Sequence, residues 1–356
     1  MQGFNQEISI ARFFACIFFI AAGLAVLTAG FIFVVDPYAI WRQESHKINA
    51  IRLEPPSASQ RGAAVLRSAL HAPDVLILGS SRVRRGFNES LASRLYGSNV
   101  QVVGVDALPL SNARDLFFAI SQQGRIKRLY LEVSYLTSNA CEAKNDNETE
   151  KSKLSFPFDY LSPKDAVKQS FKTLKTNLFY ISSYDSYFDV QGRFHDQATD
   201  AIARAGGADI DESRYNRIIQ TRIGACKGQA ANAADVNDLT AIFQRAETAE
   251  TEVILLILPV TARWQARILQ TGLSPRAAQW KTEITGIASQ FHVPVLDYEQ
   301  RRDLSALAEN SDHAMPMFWD EIHFSNRLGD HILNDMQYNS HLARIPRAPG
   351  QAKPQP

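Results

Sequence analysis

An uncharged run near the start of the chain is the feature that most limits how this sequence can fold. Residues 13–35 contain no Asp, Glu, Lys or Arg and end in bulky apolar side chains just before Asp36 and Pro37. As a helix rising about 1.5 Å per residue, the run reaches roughly 35 Å, enough to cross a hydrocarbon core of about 30 Å. A cleaved signal peptide, the alternative, usually has a shorter apolar region of about 7–15 residues. We expect an uncleaved, single-pass transmembrane helix over 13–35 after a short cytoplasmic tail of residues 1–12.

The charge of the chain gives no support for a nucleic-acid partner, and it does not show in which direction this helix crosses the membrane. The 356 residues include 38 Lys and Arg against 37 Asp and Glu, so nothing favours nucleic acid. Arg12 alone precedes the apolar run closely, whereas Arg42, Lys47 and Arg52 follow it. The positive-inside rule therefore does not favour a cytoplasmic amino terminus.

The cysteines leave two readings open. Cys16 lies in the apolar run, and Cys141 and Cys226 are the other two cysteines of the chain. This pair either forms one disulfide in an exported domain or remains two free thiols. Cysteine and histidine spacing does not resemble a zinc site, so we expect no metal.

The remainder predicts one α/β domain over 57–342, joined to the apolar run by a connector over 36–56. Short apolar segments alternate with amphipathic ones, which favours a three-layer arrangement: a parallel sheet flanked by helices. The predicted strands are 75–78, 100–105, 128–136, 252–260 and 293–299. The predicted helices are 57–72, 89–96 (capped by Asn88 and ended by Gly97), 112–123 (capped by Ser111), 234–249, 274–291 and 326–336 (capped by Ser325).

Two regions break the alternation. Residues 137–233 begin polar and continue rich in aromatic side chains, and we interpret them as an insertion that covers part of the domain. Residues 343–356 are polar and proline-containing and cannot bury a core, so we expect a disordered tail.

The first predicted strand ends in a sequence that suggests chemistry. Gly79-Ser80-Ser81 follows directly on four apolar residues. Ligands of parallel sheets bind beyond the carboxyl ends of the strands, where Ser80 and Ser81 would lie. An ordinary strand exit is the alternative to a serine nucleophile.

Asp320 and His323, after the last predicted strand, would approach the same edge of the sheet. Their spacing lets a carboxylate accept from Nδ1–H of the imidazole and leaves Nε2 free, as in the base half of a serine triad. His323 also precedes a predicted helix, whose positive dipole end disfavours imidazolium. We therefore expect a neutral ring that accepts the proton of a serine hydroxyl.

These two blocks together resemble those of the SGNH, or GDSL-like, hydrolases and acyltransferases. That family has an apolar strand followed by Gly-Asp-Ser or a variant of it, and a late Asp-x-x-His before a helix. The resemblance covers roughly 74–136 and 252–335. It implies an SGNH/flavodoxin-like fold with Ser81 as nucleophile, His323 as base and Asp320 as its orienting carboxylate.

Two other blocks of the family match less well. Its second block supplies an oxyanion-hole glycine, and the register here fits Gly104 or Ala107 besides the Ser81 N–H. Its third block supplies an asparagine in a Gly-x-Asn-Asp turn; this chain lacks that turn, and Asn139 is a distant candidate. Such departures resemble the divergent membrane-anchored branch, similar to proteins of polysaccharide O-acetylation and of D-alanine transfer to cell-wall polymers.

Arginines near these blocks suggest what a substrate would be. Arg82, Arg84 and Arg85 follow Ser81 and are candidates for binding an anionic polymer, with a solvated basic loop as the alternative reading. Arg263 follows the fourth predicted strand, where it would line the same cleft and bind substrate, with an ordinary strand exit as the alternative.

The resemblance implies a serine acyl-transfer enzyme anchored in the inner membrane, with its domain periplasmic or extracellular. Its substrate would be an envelope or exported polysaccharide or a small acyl ester, its partners the bilayer and a membrane-bound acyl-supplying protein, and it would require no cofactor. A carbohydrate esterase would use the same residues. The alternative from another class is a catalytically inactive assembly or binding component of a polysaccharide machine.

Overall fold

Two sheets organise the chain in a computed structural model, which describes residues 2–41, 47–54, 56–138, 163–179, 186–189, 192–196, 233–299, 301, 304 and 317–342. The strands are β1 (Arg52–Leu53), β2 (Val75–Gly79), β3 (Val100–Gly104), β4 (Arg128–Glu132), β5 (Ser186–Phe188), β6 (Phe194–Asp196), β7 (Glu252–Ile257) and β8 (Val295–Asp297). Five of them form a parallel sheet in the order β3-β2-β4-β7-β8, and β1, β5 and β6 form a small antiparallel sheet. The predicted α/β domain with a parallel sheet is confirmed.

The parallel sheet has the order 2-1-3-4-5 when only its own strands are counted, which is a doubly wound order. Its switch point lies between β2 and β4, where a crevice opens beyond the carboxyl ends. β4 and β7 are shorter than predicted. A 3₁₀ turn at Tyr135–Thr137 follows β4, and Pro259, which has no N–H, follows β7.

Helices cover both faces of the parallel sheet. The helices in the described part of the chain are α1 (Gln2–Val35), α2 (Ser57–His71), α3 (Ser81–Gly86), α4 (Glu89–Tyr96), α5 (Leu110–Ser121), α6 (Pro163–Phe179), α7 (Ala233–Thr248), α8 (Ala262–Gln270), α9 (Ser274–Gln290) and α10 (Asn326–Leu342), of which α1 and α6 lie apart from the parallel sheet. One core packs α2, α5, α7 and α9 on the side of Leu76 and Leu78, and a second packs α3, α4 and α10 on the side of Ile77. Because these strands are buried on both faces, their sequences are continuous apolar runs and do not alternate with polar residues.

The predicted helix caps have different outcomes. The Asn88 side chain accepts from the Leu91 N–H at 2.8 Å, and Gly97 ends α4 at φ 59°, as predicted. Ser111 does not cap, because α5 begins at Leu110, directly after Pro109. The Ser325 hydroxyl is buried and has no hydrogen-bond partner among the residues that the structure describes, so it does not cap α10.

The amino-terminal helix is long and apolar enough to cross a membrane. Within α1, the stretch Arg12–Val35 has a mean hydropathy of 2.6, and its most apolar part is not buried against the domain, although Val35 at its end is. Asp36 then adopts φ 47°, and its carboxylate accepts the Ile40 N–H at 2.7 Å, which ends the helix in a tight turn.

Part of the predicted insertion packs beside this turn. In α6, the Phe171 ring lies 4.8 Å from that of Phe31 in α1, and the Asn177 side chain bonds both the N–H and the carbonyl of Ile51, each at 2.8 Å. β5 pairs with β1. The rest of the insertion, with Cys141 and Cys226, and the tail over 343–356 lie outside the described residues.

Candidate active site

The nucleophile candidate stands in the turn from β2 into α3. Ser80 is the N-cap of α3, and its hydroxyl accepts from the Arg82 N–H at 3.2 Å. Ser81 is therefore the first residue of the helix, and its N–H has no intrahelical acceptor. A side chain at Gly79 would overlap the Glu132 carboxylate and Val83, so the turn requires glycine for close approach.

The histidine candidate lies in a tight hairpin over residues 317–325. Phe318 and Phe324 form an antiparallel bridge, and the Ser325 N–H donates to the Met317 carbonyl at 2.8 Å. Inside the hairpin, Oδ1 of Asp320 accepts the main-chain N–H groups of Ile322 and His323, both at 2.8 Å. An aspartate that bonds main-chain groups two and three residues ahead stabilises such a turn. The Asp-x-x-His spacing is thus a local folding unit as well as a chemical one.

Ser81, His323 and Asp320 form one hydrogen-bonded row. The Ser81 hydroxyl lies 2.7 Å from His323 Nε2, although the residues are 242 positions apart. His323 Nδ1 lies 2.5 Å from Asp320 Oδ2, and Asp320 is fully buried. A buried carboxylate acceptor favours the tautomer with hydrogen on Nδ1, which leaves Nε2 to accept the serine proton. The His323 side chain is 12% exposed, so the row can be reached from solvent.

Arg82 contradicts its predicted role in substrate binding. Its side chain is only 5% exposed. Nε donates to the Ile322 carbonyl at 3.1 Å, and a terminal nitrogen donates to the Pro259 carbonyl at 2.7 Å. Its other terminal nitrogen lies 3.5 Å from Glu132. The guanidinium therefore holds the histidine hairpin to the ends of β4 and β7 and does not face a substrate.

Glu132, which sequence reasoning missed, is the buried partner of the serine turn. Its carboxylate accepts the Ser80 N–H at 2.6 Å and the Ser80 hydroxyl at 3.0 Å. The only signal in the sequence is a carboxylate that follows the apolar residues 129–131 of β4. Buried charges of this kind require a partner, and Arg82 is that partner.

Two other predicted substrate-binding arginines are engaged with carboxylates. Arg85 Nε lies 3.1 Å from Glu54, and its guanidinium stacks over Phe194 at 4.9 Å. Arg263 Nε lies 3.1 Å from Glu321, with 46% of its side chain exposed. Arg85 is therefore not the solvated basic group of the alternative reading, whereas Arg263 keeps much of its surface open to a ligand.

The oxyanion-hole candidates lie beside the nucleophile turn. Gly104 ends β3 in register with Gly79, and a side chain there would overlap the main chain of Arg84 in α3. Its glycine thus serves close packing of α3 on the sheet. Ala107 has φ 51° in the following turn. The Ser81 N–H is the best-supported of the candidate hydrogen-bond donors to an oxyanion. Asn139 lies outside the described residues.

A small cavity borders the serine turn at the switch point. It has a volume of about 10 Å³ and is lined partly by Ser80, Glu132 and Trp280. That is about the space one water requires, so this cavity does not itself hold a substrate.

Comparison with known proteins finds no family model and no curated protein that matches this chain. The fold and the site by themselves define a doubly wound α/β domain that carries a serine, histidine and aspartate row at its carboxyl edge.

Proposed function

We propose that this chain is a membrane-anchored serine acyl-transfer enzyme of the SGNH-like type, with Ser81, His323 and Asp320 as its catalytic residues. The observation that carries the proposal is the continuous row from the Ser81 hydroxyl through the imidazole to a fully buried carboxylate. A hydroxyl with a base at hydrogen-bond distance, oriented by a third group, is the general arrangement of an activated nucleophile.

The chemistry follows from these positions. Ser81 Oγ attacks the carbonyl carbon of an acyl ester while His323 Nε2 takes the hydroxyl proton, and Asp320 stabilises the imidazolium. The tetrahedral adduct collapses, the ester C–O bond breaks, and Nε2 returns the proton to the leaving oxygen. A second hydroxyl then attacks the acyl group while Nε2 takes its proton, the bond between the acyl carbon and Ser81 Oγ breaks, and Nε2 returns the proton to Oγ.

The molecule that accepts the acyl group decides between two kinds of enzyme. Transfer to a sugar hydroxyl makes the chain an O-acyltransferase, and transfer to water makes it an esterase, with the same three residues. We favour an acetyl ester and an exported or envelope polysaccharide, with the domain periplasmic or extracellular, by the resemblance described above. Burial of Arg82 and the carboxylate partners of Arg85 and Arg263 give no support to a strongly anionic polymer.

Labelling with a serine-reactive fluorophosphonate tests the proposal directly. We expect purified full-length protein in a neutral detergent to carry one adduct at Ser81, located by peptide mass spectrometry. Ser81→Ala should abolish labelling. Ser98→Ala, the same change in the turn before β3 at the opposite end of the sheet, should leave it intact.

An adduct at another serine, or none at Ser81 in folded protein, would contradict the enzyme. A Ser81→Ala variant that expresses normally and leaves polysaccharide acetylation unaltered would instead support the assembly component.

A further inference from the structure

A larger cavity of about 190 Å³ lies away from the triad, beside the turn that ends α1. Its walls include Tyr38, Leu53, Ala63 and Phe188, from the connector, β1, α2 and β5. Ser81, Asp320 and His323 do not line it. The volume is many times the roughly 10–15 Å³ that one water needs, so a group of several heavy atoms can enter.

Three arginines, Arg52, Arg67 and Arg84, line the same cavity. Arg67 pairs with Glu89, and Arg84 pairs with Glu54 and Asp106. The backbone of Arg52 pairs with β5, but its side chain forms no ion pair within the part of the chain that the structure describes. The Nε atoms of all three, and one terminal nitrogen of Arg84, are buried without a partner.

The charge of Arg52 is only partly compensated by its surroundings. Burial lowers its pKa, and the neighbouring positive charge of Arg67 lowers it further. The negative charges of Glu89, Asp36 and Asp189 offset this only in part. Buried cations are normally paired, because desolvating a charge without a counter-ion is costly. Among the described residues none of these carboxylates forms a direct ion pair with Arg52, although Arg67 and Arg84 each have one.

We propose that this cavity is a binding site for a phosphate group, held by Arg52 with help from Arg67 and Arg84. Guanidinium groups bind phosphate oxygens in pairs of parallel hydrogen bonds, and the unpartnered N–H groups supply donors for such bonds. The apolar walls and the position next to α1 suit a phospholipid headgroup as well as a soluble phosphate ester. The site is independent of the proposed acyl transfer, because it uses none of the triad residues.

The test is ligand-dependent thermal unfolding of the full chain in an uncharged detergent. The probes are inorganic phosphate, glycerol phosphate and short-chain phosphatidic acid, with chloride at equal ionic strength and diacylglycerol as blanks. We expect a phosphate-bearing probe to raise Tm, because a ligand that binds only the folded state stabilises it. A rise with phosphatidic acid alone assigns the site to lipid, and a rise with the soluble probes assigns it to phosphate esters.

Arg52→Gln should weaken binding about tenfold or more, the loss expected for a charge-assisted hydrogen bond. Without ligand it should unfold at a higher Tm than the parent, since it removes a buried charge that has no partner. If Arg52 only stabilised the fold, the variant without ligand would instead unfold at a lower Tm than the parent. Arg125→Gln is the matched control, because Arg125 is 67% exposed and pairs with Glu250 at the other end of the sheet.

Should Arg52→Gln fail to fold, Arg52→Lys keeps the charge, loses the paired geometry and should give a smaller ligand-induced rise. No rise with any phosphate probe, or equal rises in the parent and the Arg52 variants, would overturn the site.

Discussion

The Glu132 carboxylate holds Ser80 by two hydrogen bonds, one from its N–H at 2.6 Å and one from its hydroxyl at 3.0 Å. Ser80 in turn caps α3, whose first residue is Ser81. A buried charge on β4 therefore fixes the direction in which the candidate nucleophile leaves β2. Arg82 joins the same carboxylate to the histidine hairpin, so both halves of the triad depend on one buried network.

Glu132→Gln should lower the free energy of unfolding by about 3–5 kcal/mol, the usual effect of breaking a buried ion pair from one side. The change leaves Arg82 uncompensated and turns an acceptor of Ser80 into a donor. Glu250→Gln, which removes an exposed partner of Arg125, should change stability by less than about 1 kcal/mol. Denaturant unfolding of the full chain in detergent measures both, and equal effects would refute the network.

Asp320→Asn should lower the rate of acyl-ester hydrolysis by roughly 10⁴-fold, as the same change does in a serine protease triad. An amide cannot stabilise the imidazolium, and it favours the wrong tautomer of His323. Asp74→Asn, at the amino end of the sheet, is the control and should leave the rate unchanged. Full activity of the Asp320 variant toward a chromogenic acetate ester would exclude the proposed triad.

Gly329→Ala and Gly286→Ala should have opposite effects on stability, although both replace glycine within a helix. A side chain at Gly329 in α10 would overlap the Gly86 carbonyl of α3, and overpacking of this kind costs about 1–3 kcal/mol. Gly286 in α9 has open space around it, so alanine should add about 0.5–1 kcal/mol. Thermal unfolding of both variants decides the point, and two gains of stability would show that α3 and α10 are not closely packed.

Asp330→Asn should raise stability at neutral pH. Burial raises the pKa of Asp330, although the charges of Arg193 and His331 offset part of the effect. A carboxyl whose pKa is raised on folding favours the folded state below its unfolded pKa, near 3.8, and this contribution is lost as pH rises through the folded pKa. The Tm advantage of the variant should therefore grow from pH 4 to pH 8. A constant difference across that range would exclude the titration as its cause.

Local patterns predicted most of the fold and the three triad positions. The strands are apolar runs that end at glycine or near proline, and Asn88 and Gly97 bound a helix by rules that need no tertiary contact. Ser81, Asp320 and His323 were visible because each stands at a strand end or in a short turn. The prediction that Ser111 caps α5 was wrong, because Pro109, with its fixed φ, lets the helix begin earlier, at Leu110.

Charges that pair between distant segments could not be predicted in the same way. Arg82 and Glu132 are 50 positions apart and meet because β2 and β4 are neighbours in the sheet. Without that order, an arginine after a serine turn is indistinguishable from a substrate-binding group. The unpaired state of Arg52 likewise depends on how β1, α2 and α3 meet.

The contact between Phe31 and Phe171 has a geometric consequence for the whole molecule. Phe31 lies near the end of the span, so in a bilayer crossed by α1 its aromatic neighbour is brought to the lipid–water boundary. There α6 presents Phe171, Leu178 and Phe179 outward, with lysines along the same helix. Such a helix would rest on the lipid surface, and two points of support would fix the tilt of the domain and the height of Ser81 above the bilayer.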